Sequence, residues 1–174
     1  MNRQEPDIFL CLGSNLGDRA VMLQRACDLI EKDAGSIIRC SSVYESEPWR
    51  MKEAEPFLNQ VIRITSSLSP DKLLLVLKEV ELKLGKVESP RSMIRDIVSP
   101  AYYSRSIDID ILFYGNKVID FPELVIPHPY IADRRFVLVP MVEIAVNFMH
   151  PVLGKPIQRV LEECRDFRKV RVFC

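Results

Sequence analysis

The chain has 174 residues, enough for one domain with a substantial core, and 48% of them are apolar. Its 24 basic and 24 acidic side chains give no net charge, which argues against a general nucleic-acid or membrane-surface binder. We expect a single domain over residues 1–174. We expect this domain in the cytoplasm, because the five cysteines lack CxxC spacing and no apolar run is long enough for a membrane span or a signal peptide.

Local patterns predict the main elements. Residues 7–15 are apolar on both faces, which is typical of a central strand. Residues 69–86 predict a helix that begins at Ser69 and Pro70 and places leucine and valine at helical spacing. The full set, in chain order, is a strand at 7–15, a helix at 17–35, strands at 36–46 and 56–67, a helix at 69–86, a strand at 105–115 followed by a hairpin turn at 114–117, a helix within 126–145, a second within 155–164 and an edge strand at 169–173.

The order strand, helix, strand, strand, helix, strand is that of a ferredoxin-like βαββαβ core. The predicted class is therefore α+β, with an antiparallel sheet, two helices packed on one of its faces and C-terminal helical additions.

The strand RSIDIDILFYG (105–115) carries two carboxylates in its middle. Asp108 and Asp110 share a face, about 7 Å apart, while Ile107, Ile109, Ile111 and Phe113 are expected on the core face. Two repelling carboxylates suit a divalent cation such as Mg²⁺, which is held by one or two carboxylates together with substrate phosphates. A solvated outer sheet face explains the same pattern equally well, and the strand alone does not separate the two interpretations.

Residues 86–104 form a long segment without helical or strand periodicity. With Arg105 at its end, it carries the cations Lys86, Arg91 and Arg95. Long connections of this kind are often active-site lids or solvated loops with incidental charge, and both interpretations stand. Arg105 is three residues before Asp108, close enough to meet a phosphate bound to the same metal.

The motif PHPYIADRRF holds His128 between two prolines, which fix the backbone on both sides of one polar side chain. Arg134 and Arg135 follow at a predicted helix start. A structural, hydrogen-bonded histidine remains the alternative to a phosphate ligand.

Two further motifs carry weaker signals. The turn GSNLGD (13–18) could present amides to an anion at a helix N-terminus, although a tight turn capped by Asn15 or Asp18 explains it better. Phe57 and Asn59 share a strand face, with Trp49 upstream, and together they could stack on and pair with a flat heterocycle. Ordinary core or surface aromatics are the alternative.

The segments LGSNLGDR, SSVYESEPW, PFLN, ELKLGK, RSIDIDILFYGNKVI and IPHPYIADRRFVLVPMVEIA occur in one order over roughly residues 8–164. Together they resemble the 6-hydroxymethyl-7,8-dihydropterin pyrophosphokinase family of folate biosynthesis. The resemblance implies a monomer that transfers pyrophosphate from ATP to the pterin hydroxymethyl group, releases AMP and uses two Mg²⁺ ions.

The resemblance also implies roles for individual residues. Asp108 and Asp110 would hold the metal ions, and Arg105 would act with them in catalysis. The implied ATP-binding residues are Glu81, Lys86, Arg105, Ile111, His128 and Arg134. The implied pterin-binding residues are Gly13, Ser46, Glu47, Trp49, Phe57, Asn59 and Phe136.

The sequence departs from the family pattern mainly in segment 86–104. Lys86 and Glu88 replace a pair of arginines, and a Trp-Gly-Pro motif is missing. Arg91 or Arg95 would then supply the missing catalytic arginine, and Tyr102 or Tyr103 the missing aromatic ring.

Two other classes of protein compete with the pyrophosphokinase interpretation. A metal-dependent nucleotidyltransferase or nucleotide hydrolase would also use an Asp-x-Asp strand, and a non-catalytic binding module would hold a pterin without metal. Neither needs the complete ordered set of motifs.

Overall fold

The computed structural model describes residues 6–49, 55–86 and 106–174. Its strands are β1 (Ile8–Ser14), β2 (Ser36–Cys40), β3 (Tyr44–Ser46), β4 (Phe57–Thr65), β5 (Asp108–Tyr114), β6 (Ile119–Phe121), β7 (Leu124–Ile126), β8 (Met149–His150), β9 (Lys155–Pro156) and β10 (Val170–Val172). Its α-helices are α1 (Arg19–Asp33), α2 (Pro70–Lys83), α3 (Arg135–Ala145) and α4 (Ile157–Glu163), and a 3₁₀ helix spans Ile131–Asp133.

Six strands form one sheet in the order β10-β3-β4-β1-β5, with β2 also paired to β4. Every pair in this sheet is antiparallel, so the predicted α+β class with an antiparallel sheet is confirmed. No helix in the described ranges is long and apolar enough to cross a membrane.

Strand β1 is the shared wall of two hydrophobic cores. Ile8, Leu10 and Leu12 face the first core, which contains residues of α1 and α2. Phe9 and Cys11 face the second core, which contains residues of α3 and α4. The prediction of a central strand that is apolar on both faces is confirmed, and all seven of its residues are buried.

A β-bulge in β5 changes which side chains share a face. Phe9 pairs with Phe113 and Leu10 with Ile111, so Leu112 is an extra residue on its strand. Ile109 and Ile111 lie in the first core as expected, but Phe113 lies in the second core. The expectation that Phe113 shares the face of the isoleucines is wrong, because the extra residue reverses the alternation of side chains.

The predicted strand at 36–46 is divided into β2 and β3, which pair with successive parts of β4. Ser41 lies at the division. Its Oγ accepts a hydrogen bond from the Val61 N–H (3.1 Å), and its carbonyl accepts one from the Gln60 side chain (2.8 Å). The Ser41 hydroxyl thus accepts the Val61 N–H of β4, which in a regular sheet would bond to a backbone carbonyl of the neighbouring strand.

The turn predicted after β5 is present, with Gly115 at a φ of 52°, but the strand that follows does not pair with β5. Strand β6 pairs with β7 instead. The segment at His128 lies along the outer edge of β5, where the His128 N–H donates a hydrogen bond to the Leu112 carbonyl (3.0 Å).

Candidate active site

The two predicted carboxylates and Asn59 meet on the face of the sheet that carries α3. Gly13 pairs with Asn59 on one side and with Asp108 on the other, and Cys11 pairs with Asp110. Directly paired residues project to the same face, and Cys11 belongs to the second core. The amide of Asn59 and the two carboxylates therefore lie on one surface, separated by the width of β1.

Gly13 keeps the middle of this surface open. A Cβ at this position would lie 3.3 Å from Asn59 Oδ1 and 3.9 Å from the Phe57 ring. Any other residue type would place a side chain between Asn59 and Asp108, so glycine leaves room there for a ligand.

Asn59 and Ser46 form a buried polar pair. Asn59 Nδ2 donates to Ser46 Oγ at 2.8 Å, and the two residues are 2% and 4% exposed. Ser46 pairs with Phe57 in the β3–β4 register, so the hydroxyl, the amide and one aromatic ring are adjacent. Hydrogen-bonding groups next to an aromatic ring suit the edge of a planar heterocycle.

The aromatic side chains gather around one guanidinium group. The Arg134 Cζ atom lies 4.8 Å from the centre of the Trp49 ring, 5.5 Å from that of Tyr130 and 5.7 Å from that of Phe136. The sequence interpretation missed Tyr130, whose only local signal is its position two residues after His128. Glu47, the remaining predicted pterin residue, is exposed and lies two residues before Trp49 in the chain.

Asp110 contacts two of the predicted ATP-binding residues. Its Oδ2 lies 3.3 Å from Arg134 Nη1 and 3.7 Å from His128 Nε2. His128 Nδ1 accepts a hydrogen bond from the Tyr130 N–H (3.2 Å), which leaves Nε2 facing Asp110. Burial lowers the pKa of His128, although the nearby Asp110 charge opposes this.

Arg134 is the most enclosed of the site cations that the structure describes, with a residue exposure of 8%. Its Nε is buried and finds no acceptor among the residues of 6–49, 55–86 and 106–174. An enclosed guanidinium whose donors are not all satisfied by the protein is well suited to bind a phosphate oxygen.

Asp108 shares a lysine with Glu81 of α2. Lys86 Nζ lies 2.8 Å from Asp108 Oδ1 and 2.7 Å from Glu81 Oε2, while Glu81 Oε1 accepts the Ile109 N–H (2.7 Å). Burial, followed by the Asp108 charge, raises the pKa of Glu81 to about 7, even though Lys86 opposes the shift. Burial alone would lower the pKa of Lys86, but the charges of Asp108 and Glu81 outweigh it and the pKa is raised.

The remaining predicted residues fall into two groups. Ile111 packs in the first core, on the opposite face of the sheet from Asp110, so only its backbone is available to a ligand on the outer edge of β5. Arg91, Arg95 and Arg105 lie outside the described residues, as do Glu88, Tyr102 and Tyr103.

The residues present fit a Mg²⁺ site in which a bound phosphate supplies part of the coordination. Within the described part of the chain, no group of three or more His, Cys, Asp or Glu side chains could hold a metal ion. Asp108 and Asp110 supply two carboxylates, and Mg²⁺ is commonly held by such a pair when phosphate and water complete its coordination. Each carboxylate has a cationic side chain beside it, which offsets its charge when no metal is bound.

Comparisons with known proteins identify the family. The family model of 7,8-dihydro-6-hydroxymethylpterin-pyrophosphokinase (HPPK) matches residues 9–146. The 2-amino-4-hydroxy-6-hydroxymethyldihydropteridine pyrophosphokinase of Aquifex aeolicus is 36% identical over 167 residues, which are 96% of this chain and 95% of that protein.

Longer proteins contain a region similar to this chain. The folic acid synthesis protein fol1 of Pneumocystis carinii is 35% identical over 159 residues, which are 91% of this chain but 20% of that protein. The crystal structure of Plasmodium falciparum HPPK-DHPS with SDX-DHP has a TM-score of 0.70 at 18% identity, over 92% of this chain and 44% of that one. The match over residues 9–146, together with the relative of nearly equal length, shows that this chain belongs to the 7,8-dihydro-6-hydroxymethylpterin-pyrophosphokinase family.

Proposed function

We propose that this chain catalyses the reaction for which its family is named: transfer of pyrophosphate from ATP to the hydroxymethyl group of 6-hydroxymethyl-7,8-dihydropterin, with release of AMP, in folate biosynthesis. One observation carries the proposal. Asn59 and Asp108 flank Gly13 in a single row across the sheet. Two strand spacings separate them by about 10 Å, a span that suits a bicyclic ring whose hydroxymethyl group points toward the carboxylates.

The pterin half of the site comprises the residues around Gly13 and Trp49. Asn59 and Ser46 would bond the polar edge of the ring, and Phe57 and Phe136 would stack on its two faces. Trp49 would close the rim, with Glu47 at its exposed side. The buried Asn59–Ser46 pair supports this assignment, because it fixes the amide before a ligand arrives.

The nucleotide half comprises the charged side chains near β5. Asp108 and Asp110 would hold two Mg²⁺ ions, and Arg134 and His128 would bind the triphosphate. Glu81, Lys86 and the backbone of Ile111 would meet the nucleoside side. Arg105, together with Arg91 or Arg95, would add positive charge; these roles rest on the motif resemblance alone.

The protein would contribute to this reaction mainly by positioning the two substrates and by neutralising the phosphate charge. A bond forms between the hydroxymethyl oxygen and the β-phosphorus of ATP, and the bond between that phosphorus and the α–β bridging oxygen breaks. AMP leaves with the bridging oxygen, and the hydroxyl proton is lost to solvent. Mg²⁺, when bound, would neutralise the phosphate charge and favour ionisation of the hydroxyl group. Arg134 would hold the phosphate oxygens through its guanidinium group, and Asn59 would orient the acceptor ring.

The finer features of the fold are part of the proposal. The order β3-β4-β1-β5 and the chain order β1-α1-β2/β3-β4-α2-β5 support a ferredoxin-like core with C-terminal additions. We further propose a single pyrophosphokinase domain over residues 1–174 that acts as a monomer in the cytoplasm.

The direct test mixes the chain with 6-hydroxymethyl-7,8-dihydropterin, ATP and Mg²⁺ and separates the nucleotides by chromatography. AMP and pterin pyrophosphate are expected in equal amounts, and both should vanish in EDTA and in Asp108→Asn. Formation of ADP instead of AMP, or ATP cleavage that does not need pterin, would identify a different phosphotransferase or a hydrolase. Tight pterin binding without turnover would identify a binding module.

A further inference from the structure

Trp49 is the only tryptophan of the chain, and its ring contacts two arginines from different segments. Its ring centre lies 4.8 Å from Arg134 Cζ and 5.9 Å from Arg168 Cζ. The ring is buried, with a residue exposure of 8%. A guanidinium group over an indole face is a favourable cation–π contact, so both arginines stabilise this ring position.

Arg168 belongs to the segment between α4 and β10, and it is fixed at both ends of its guanidinium. Its Nε donates to Asp166 Oδ1 at 2.7 Å, and its Nη1 donates to the Pro48 carbonyl at 3.4 Å. Pro48 immediately precedes Trp49, so Arg168 contacts both the backbone and the ring of this rim.

Asp166 connects the same arginine to helix α3. Its carboxylate is buried, with a side-chain exposure of 5%, and its Oδ2 accepts the Arg135 N–H at 3.2 Å. Arg135 is the first residue of α3, between Arg134 and Phe136. A carboxylate at this end also interacts favourably with the helix dipole.

We propose that Asp166 and Arg168 are positioning residues of the pterin pocket. They join the Pro48–Trp49 rim to the first turn of α3, and so fix Trp49 relative to Arg134 and Phe136. Both residues lie beyond residue 146, where the family match ends. The inference rests on the proposed pterin pocket and adds the C-terminal segment to it.

The test compares Arg168→Met and Arg168→Lys with Arg159→Met, which removes an exposed arginine of α4 that pairs only with its helical neighbours Glu162 and Glu163 among the described contacts. Arg168→Met should raise the KM for dihydropterin about 5–20-fold, with kcat and the KM for ATP changed less than about threefold. Arg168→Lys should recover part of the loss because it keeps the charge. Arg159→Met should leave all three parameters unchanged.

Fluorescence of Trp49 gives a readout without turnover. In Arg168→Met and in Asp166→Asn the emission should shift to longer wavelength and become more accessible to acrylamide, while circular dichroism stays that of the parent chain. Unchanged fluorescence and an unchanged pterin KM in these variants would overturn the proposal. A uniform fall in kcat with no selective change in the pterin KM would also overturn it, because it would show a merely structural role.

A separate variant distinguishes this failure from a failure of the proposed function. Phe136→Ala should weaken dihydropterin binding in a direct titration. If it does not, the pterin pocket itself is wrongly assigned. If it does, while Arg168→Met leaves binding and Trp49 emission unchanged, only the role of the C-terminal segment is refuted.

Discussion

Glu81 is expected to make the stability of the protein depend on pH, because its carboxylate is buried and lies near the charge of Asp108. The side chain of Glu81 is 8% exposed, and Lys86 Nζ lies 2.7 Å from it and 2.8 Å from Asp108. The informative perturbation is Glu81→Gln. Glutamine keeps the size of the side chain and the oxygen that accepts the Ile109 N–H, but it cannot ionise.

The direction of the effect follows from the pKa of Glu81. Burial raises it from an ordinary 4.5 to about 7, so the folded state favours the protonated form more than the unfolded state does. The stability from this proton is fully present below about pH 4.5 and is lost as the pH rises through about 7. The difference in pKa corresponds to at most about 3 kcal/mol, of which about 2 kcal/mol falls between about pH 5 and about pH 8.

The assay is urea unfolding of both proteins in EDTA, followed by circular dichroism at several pH values. The free energy of unfolding of the parent chain should fall by about 2 kcal/mol relative to Glu81→Gln between about pH 5 and about pH 8. Glu79→Gln removes an exposed carboxylate from the same helix and measures the effect of a lost charge alone. A constant difference between the parent chain and Glu81→Gln across this range would refute the reasoning.

Three further predictions concern the site and its support. Asp110→Asn should lower kcat by at least about 100-fold, with dihydropterin affinity changed less than about threefold in calorimetry, because Asp110 lies on the nucleotide side of the surface. Gly13→Ala should raise the KM for dihydropterin about tenfold in steady-state kinetics and spare the KM for ATP, because the new Cβ would lie 3.3 Å from Asn59 Oδ1; equal effects on both substrates would contradict the location of the pocket. Phe113→Ala should lower the free energy of unfolding by about 3–5 kcal/mol in urea titrations, because this ring is fully buried in the second core, and a loss below about 1 kcal/mol would contradict that burial.

Elements with a strong local pattern could be predicted from the sequence. Strand β1 is apolar on both faces, and the structure buries all of it. Helix α2 buries Leu73, Leu77 and Val80, as their helical spacing indicates. The shared face of Asp108 and Asp110 also follows from strand geometry alone. In each case the pattern that predicts the structure lies within a single helix or strand.

Features that depend on contacts between distant segments could not be predicted. The bulge at Leu112 results from the register of β5 against β1, and the division at Ser41 from a hydrogen bond to β4. Arg168 and Pro48 are 120 residues apart in the chain, and nothing in the local sequence of either residue indicates this contact. Tyr130 gains its role only because Arg134 folds back over it.

The extra residue at Leu112 reverses the side of the sheet to which alternate side chains of β5 point. Before it, even-numbered side chains face α3; after it, odd-numbered ones do. Deleting one residue there would restore a regular alternation and force either Asp110 into the apolar core under α2 or Phe113 out of its place against Phe9 and His150. It would also withdraw the carbonyl that holds the backbone of His128. A one-residue irregularity thus ties the placement of the carboxylates to the packing of the opposite end of the same strand.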